Sequence, residues 1–229
     1  MATHRTAEEV KQHHVEQMGE DLGSLFHVLW NEVAWLYGKW GEYVELFGTK
    51  PSRIDLMNKA APRFFKVVQN SLWEDTLLHV ARLTDPPKSA GKHNLTIQRL
   101  PSLVAGEKVE ASVIKLTEIA IEKADFCRDW RNRHIAHRDL QLAMDEGVEP
   151  LKPASRAKVK DALEGIAGVL NAVSQHYMDS TIMFEGIPSS RGVVSLLYVL
   201  DDGLQAENER RKRIKAGDYR PDDYKARDL

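Results

Sequence analysis

The sequence has a single cysteine, Cys127, among 229 residues, which rules out an intrachain disulfide and a four-cysteine zinc site. Long apolar runs are missing too. The longest, Val193 to Leu200, falls well short of the roughly 20 residues that cross a bilayer, and no charged segment followed by an apolar core stands near the N-terminus. These absences predict a soluble cytoplasmic protein that is neither exported nor in contact with a membrane. An excess of one charge is also lacking. With 32 Lys and Arg against 34 Asp and Glu, the formal net charge is −2, so the surface is no general polycation and any nucleic-acid binding has to be local. No apolar/polar alternation is long enough to require a sheet, and no internal repeat occurs.

What is present is helical periodicity. Thr6 and Glu9 have the spacing of a capping box, predicting a polar, solvated helical arm over residues 1–20 in which His13 and His14 are surface residues. Leu25, Phe26, Leu29, Val33, Leu36, Trp40, Val44 and Phe47 recur at helical steps and mark one buried face. Lys50-Pro51 ends that helix, Ser52 with Asp55 offers the next cap, and Pro62 starts a helix to Leu83 expected to pack centrally through Phe65, Val68, Leu72 and Leu78. Thr84 to Asn94, with Pro86, Pro87 and Gly91, has the composition of a loop, and Thr96 is placed to cap a short helix through Leu103.

A long helix is predicted from about Glu107 into the 130s, then a linker from Gly147 to Pro153. Val159, Leu163, Ile166, Leu170, Val173 and Tyr177 mark a further amphipathic helix. After a break at Gly186, Pro188 and Gly192, a closing helix from Val193 becomes highly charged over Glu207 to Lys215 and leads to a polar tail expected to be mobile. Trp30, Trp35, Trp40, Trp73 and Trp130 fit core positions. The predicted class is all-α, a helical bundle over residues 21–180, with the arm over 1–20 and a C-terminal helix and tail over 181–229 packed on or extending from it.

The segment that can carry chemistry lies at the end of the helix through the 120s. At about 100° per residue, Val113, Leu116, Ile119, Ala120, Phe126, Cys127 and Trp130 share one sector with Lys123, and Arg131, His134 and His137 continue it. These side chains are therefore expected to face inward or toward a partner. From Arg128 to Arg138 there are four arginines and two histidines against one acid, Asp129, which implies an anionic ligand. Histidine exchanges protons near neutral pH, whereas arginine keeps its charge and grips a phosphate with two prongs. Without a metal, such groups suit attack by a neighbouring 2′-hydroxyl, which only RNA supplies, leaving a cyclic phosphate and a free 5′-hydroxyl.

Arg131-Asn132-Arg133-His134-Ile135-Ala136-His137 resembles the signature of the HEPN superfamily: an arginine, a polar residue, and a histidine four to six residues beyond the arginine, near the end of a long helix. Ala81-Arg82-Leu83-Thr84-Asp85-Pro86, Asn94-Leu95-Thr96 and Ile135-Ala136-His137-Arg138-Asp139 further resemble the abortive-infection AbiU-like branch. The likeness covers about residues 20 to 180. It implies a HEPN-like helical bundle, with additional N- and C-terminal helices here, that often dimerises and often cleaves RNA without a metal, in phage defence or as a toxin. On that resemblance Arg131 stabilises the transition-state phosphate, His137 is general acid or base, and Asn132 orients an oxygen. Arg133, His134, Arg128 and Arg138 are candidate substrate contacts. RNA and a second copy forming a composite site are the expected partners, with an antitoxin or defence protein as a further one.

Other readings remain open on the residues alone. The basic residues can satisfy last-turn carbonyls and the acids Asp125, Asp129 and Asp139, or the patch can bind a protein partner's acids in a structural interaction protein. The same patch can hold RNA or a nucleotide without cleaving it. His134 and His137 can share a metal with a carboxylate, although the surrounding arginines repel a cation; the reading adopted calls for no metal and no cofactor. Arg82 and Asp85 read as a structural salt bridge or cap. The run Arg210 to Arg213, with Glu207 and Glu209 nearby, reads as a solvated helix face rather than an RNA contact.

Overall fold

Thr6 opens the first helix as its spacing predicts, its hydroxyl accepting the Glu9 amide while Glu9 returns a bond to the Thr6 N–H. This computed structural model describes residues 6–144, 147, 149–186 and 192–225; both chain ends, Val148 in the first linker and Pro188 in the second break lie outside them. Among the described residues, α-helices account for almost all regular structure: α1 Ala7–Met18, α2 Glu20–Phe47, α3 Pro51–Ala60, α4 Pro62–Leu83, α5 Leu100–Leu103, α6 Glu110–Lys123, α7 Asp125–Trp130, α8 Leu140–Ala143, α9 Arg156–Met178 and α10 Val193–Lys215. The one sheet among them is a two-residue hairpin, β1 Lys88–Ser89 with β2 Lys92–His93. None of the described helices is long and apolar enough to cross a membrane.

By packing, the chain divides into two units, residues 1–41 with 71–187 and residues 42–70 with 188–229. The first is built on α2, whose Phe26, Leu29, Val33 and Leu36 are fully buried, and on the last turns of α4, where Leu77, Val80, Ala81 and Leu83 are buried. Helix α9 adds Ala162, Leu163, Ile166, Val169, Leu170 and Val173 to this core. It packs closely on α6, since a Cβ at Gly165 would lie 3.2 Å from Ala120 Cα. Helices α2 and α4 are also joined by polar groups: Lys39 pairs with Asp75, and His79 Nε2 lies 2.8 Å from Glu32 Oε2. In the second unit, α10 packs on α3.

The structure corrects several expectations. The solvated arm is packed: α1 buries His14 and Met18, and His14 lies edge-on to Phe26 with a ring separation of 5.1 Å. Gly19, at φ +81°, turns the chain between α1 and α2, and the two helices then approach so closely that a Cβ at Gly23 would sit 2.5 Å from the His14 carbonyl oxygen. A glycine step, not an apolar stripe, makes this contact. The helix predicted to start near Glu107 begins at Glu110 and is broken at Ala124. Trp35 is 70% exposed instead of in the core, and the first half of α4 buries Phe65 as expected while leaving Phe64 and Val67 in the open. Part of the polar tail is also structured, because Pro221–Tyr224 forms a 3-10 turn whose Asp223 accepts two bonds from Arg213.

Burial of histidine gives the fold a pH dependence with a fixed sign. Burial, then the charges of His27 and His13, lower His14 from 6.5 to about 4, and burial likewise lowers His27 and His79. The neutral rings are thus favoured in the folded chain, and protonation favours unfolding. Stability is full above about pH 6.5 and declines as pH falls toward about 4, with His14 alone contributing on the order of 3 kcal/mol to the loss. Urea unfolding of the wild type and His14→Leu at pH 7 and pH 5 checks this. The variant should lose clearly less stability on acidification, and equal losses would remove His14 as a cause.

Candidate functional site: an arginine and histidine helix end

The last turn of α4 presents backbone carbonyls that the helix itself cannot satisfy. The Thr84 hydroxyl donates to Val80 O at 2.9 Å and the Thr96 hydroxyl to Leu83 O at 2.9 Å. Thr84 O accepts Gln98 Nε2 at 2.8 Å and Arg128 Nη2 at 3.1 Å. The Leu83-Thr84-Asp85 and Asn94-Leu95-Thr96 stretches are therefore the two halves of one helix stop, and Arg128 ties that stop to α7. Asp85, one residue on, accepts Arg131 Nη1 through Oδ2. Its Oδ1 is buried without a hydrogen bond and lies 3.9 Å from Arg128 Nε. One half-buried carboxylate thus sits between two guanidiniums.

Beyond Trp130 the chain widens into a π-turn over Arg131–Ile135, closed by the Ala136 N–H donating to Arg131 O at 2.8 Å. Such turns are rare and concentrate at functional sites. Arg131 Nε donates to Asn132 Oδ1 at 3.0 Å, so Asn132 holds its neighbour's plane. The Arg131 Nη2 group has no partner among the described residues. Arg133 is engaged on several sides: Asp129 at 3.4 Å, Asp139 at 3.8 Å and the Glu149 carbonyl at 2.5 Å. His134 Nε2 lies 3.5 Å from Glu74 Oε1, and its ring meets Trp130 edge-on at 5.4 Å.

His137 and Arg138 are exposed and have no partner among the described residues. The predicted inward-facing series therefore holds for the half-buried Arg131 and His134, while His137 stands at the exposed tip. The linker of 149–153 is irregular but pinned here: Trp130 Nε1 donates to Lys152 O at 2.9 Å, the Lys152 N–H donates to Asp129 at 2.8 Å, and its ammonium pairs with Asp125. Burial pushes the Cys127 thiol up to about 12, against the pull of Arg128, so it offers no thiolate at neutral pH. Among the described residues, no three His, Cys, Asp or Glu side chains are grouped to hold a metal ion.

Two site residues escape a reading of the sequence, and one expected pair is replaced. Arg82 is exposed and makes no ion pair with Asp85; that acid faces Arg131 and Arg128 instead. Glu74 and Thr84 reach the site from α4 and its end, with no local pattern announcing them; only the Arg-Leu-Thr-Asp-Pro stretch hinted at the latter. The Arg210 to Arg213 run is occupied as a helix face, with Arg211 on Glu207 at 2.6 Å and Lys212 on Glu209 at 2.8 Å.

An all-α bundle in which a helix ends in a turn bearing arginine, a polar residue and a distal histidine defines a HEPN-type domain. The family model for AbiU2, a HEPN family, matches residues 19–193. This is more than half of the chain, which belongs to that family. No curated protein and no solved structure gave a significant match to it.

The Asp85–Arg131 contact can be measured directly. In a double-mutant cycle of Asp85→Ala and Arg131→Ala followed by urea unfolding, the coupling energy should be about 1–3 kcal/mol, since either single change strands a half-buried charge. A coupling near zero would show that the pair is no more than a surface contact.

Proposed function

We propose that this AbiU2-family protein is a metal-independent endoribonuclease that acts in phage defence, as an abortive-infection protein or as the toxin of a toxin–antitoxin pair. The observation that carries the proposal is His137: an exposed imidazole without a partner among the described residues, at the tip of a π-turn that begins at a positioned arginine. Free imidazole is what acid/base chemistry near neutral pH requires. In the proposed reaction the substrate's 2′-hydroxyl attacks the adjacent phosphorus, its proton passes to a basic group, and the 5′-oxygen leaves with a proton from an acidic one. Arg131 meets the equatorial oxygens through its unpartnered Nη2, while Asp85 and Asn132 hold the guanidinium in place. Arg138, also free, is the nearest additional phosphate contact in sequence.

A single histidine cannot readily give and take protons in one step, and a second copy of the chain supplies the other in the proposal. Support comes from the rim of the site: Leu140 and Met144, just beyond His137, are 70% and 60% exposed. Leu140 opens α8 and Met144 caps it, and exposed apolar residues at that position suit contact with an equivalent surface. His134, beside Glu74, is the alternative second group within one chain.

Incubation of purified protein with RNA in EDTA should give cleavage products ending in 2′,3′-cyclic phosphate. Folded Arg131→Ala and His137→Ala variants should each lose a factor of order 100 or more. RNA that is bound but left intact by the wild type would instead identify a non-catalytic binding module. The composite site has its own check in sedimentation: the wild type should run as a dimer, and Leu140→Asp with Met144→Asp should yield an inactive monomer. A fully active monomer would leave His134 and His137 of one chain as the pair.

A further inference from the structure

The sequence from Pro86 to Gly106 contains no aspartate or glutamate, yet it carries Lys88, Lys92, His93 and Arg99. Arg128, Arg131, Arg133 and Lys152 of the first unit pair with acids. Lys88, Lys92 and Arg99 have no ion pair among the described residues, and both lysines are exposed. The hairpin register sets Lys88 opposite His93 and Ser89 opposite Lys92, so Lys88 and His93 share one face of the ladder and Lys92 projects from the other. Arg99 Nη1 lies 3.4 Å from His93 Nδ1 and donates to Pro87 O at 3.4 Å. With no acid in the segment, the charges of Lys88, Lys92 and Arg99 are left for an external anion to match.

The hairpin is held in one place. Ala90 and Gly91 both have positive φ, 47° and 78°, the backbone of a two-residue turn matched to strand twist; the alanine adopts it against its own steric preference. Asn94 fastens the base, donating from Nδ2 to Pro86 O at 2.7 Å and to Ser89 Oγ at 2.8 Å, while its N–H reaches Pro87 O at 2.9 Å. That base follows directly from Asp85, the carboxylate that grips Arg131. Only Pro86 and Pro87 separate Asp85 from Lys88, so their Cα atoms are at most about 11 Å apart. Within that distance a nucleic-acid strand places only a few phosphates.

We infer that the Lys88–His93 hairpin, with Arg99 behind it, is a docking element for the phosphate backbone of single-stranded RNA flanking the bond presented to Arg131 and His137. The inference rests on the endoribonuclease reading for the identity of the nucleic acid, but binding is measured separately from cleavage. Lys88 and Lys92, projecting from the two faces of the hairpin, each meet a phosphate as a point charge, while the site itself takes the reacting nucleotide. Length dependence follows: the hairpin contributes to oligonucleotides long enough to reach it and nothing to a dinucleotide.

The test uses a fluorescein-labelled 20-nucleotide RNA with 2′-O-methyl groups throughout, which cannot undergo 2′-hydroxyl attack, titrated with the full-length protein across salt concentrations. Lys88→Gln with Lys92→Gln should weaken binding on the order of tenfold at low salt and reduce the slope of log affinity against log salt by about 1.4, two single-strand contacts. A Lys59→Gln, Lys66→Gln control on exposed residues of the second unit should leave both unchanged. Equal slopes for hairpin variant and wild type would overturn the inference, as would no binding by the wild type or the same loss on duplex DNA of that length. Cleavage of an unmodified dinucleotide separates the two readings. If the wild type binds the 20-mer through the hairpin but cuts nothing, docking stands and the nuclease reading falls. If the hairpin variant cuts the dinucleotide more slowly than the wild type does, the hairpin acts on the reacting centre and the docking assignment falls.

Discussion

The end of α4 and the start of the π-turn are held together by a single carboxylate. Asp85 accepts Arg131 and lies beside Arg128, which in turn donates to Thr84 O. Removing an acid from between two guanidiniums in a half-buried setting leaves like charges facing each other without water enough to screen them. That constraint ties the helix stop, the residue after it and the basic helix end to one another. Thr84 and Thr96 close α4; Asp85 can then occupy only one position; Arg131 is placed by it. The π-turn follows on from an arginine whose side chain is anchored behind it.

The wider turn has consequences for the groups downstream. Arg133 is drawn back into Asp129, Asp139 and the Glu149 carbonyl, so the linker of 149–153 is laid across the same helix end and pinned by Trp130 and Asp129. His134 turns toward Glu74. The positive charge of the 128–138 segment is thus largely matched within the fold, and among the described residues what that segment leaves unmatched is narrow: Arg138, His137 and the Nη2 edge of Arg131. Local neutralisation of this kind agrees with a net charge of −2. A small unpaired remainder favours selective capture of a phosphate over general attraction to polyanions.

Much of the bundle was legible because helical burial repeats with the helix. The α2 face, the Thr6 cap and the stripe of α9 all follow from spacing alone. The candidate segment stood out as a dense basic stretch, and the structure leaves Arg131 and His134 half-buried and His137 exposed. What was not legible depends on contacts between distant parts of the chain. Asp85 has Arg82 as a plausible neighbour in sequence, but its partner is 46 residues away. His14 looks solvated among polar residues, yet a glycine step at Gly23 brings its backbone against α2 and buries its ring. Glu74 becomes part of the site only once α4 comes within reach of His134 in the π-turn. Trp35 shows the converse: periodicity near a buried face does not bury a side chain when no helix covers that side.

The geometry at Arg131 restricts how a phosphate can be met in the proposed reaction. If the phosphate displaced Asp85, the acid would remain half-buried beside Arg128 alone, and the cost of stranding it would oppose binding. Approach along the free Nη2 edge avoids that cost, because a planar guanidinium can serve a carboxylate on one side and an oxyanion on another. A lysine in its place offers one point charge and cannot occupy both positions in a fixed plane. The requirement at this position is therefore for arginine in particular, set as much by the carboxylate behind it as by the phosphate in front. Asp85 acts in this scheme as a positioning residue: it touches no substrate atom, and it fixes which edge of Arg131 is offered.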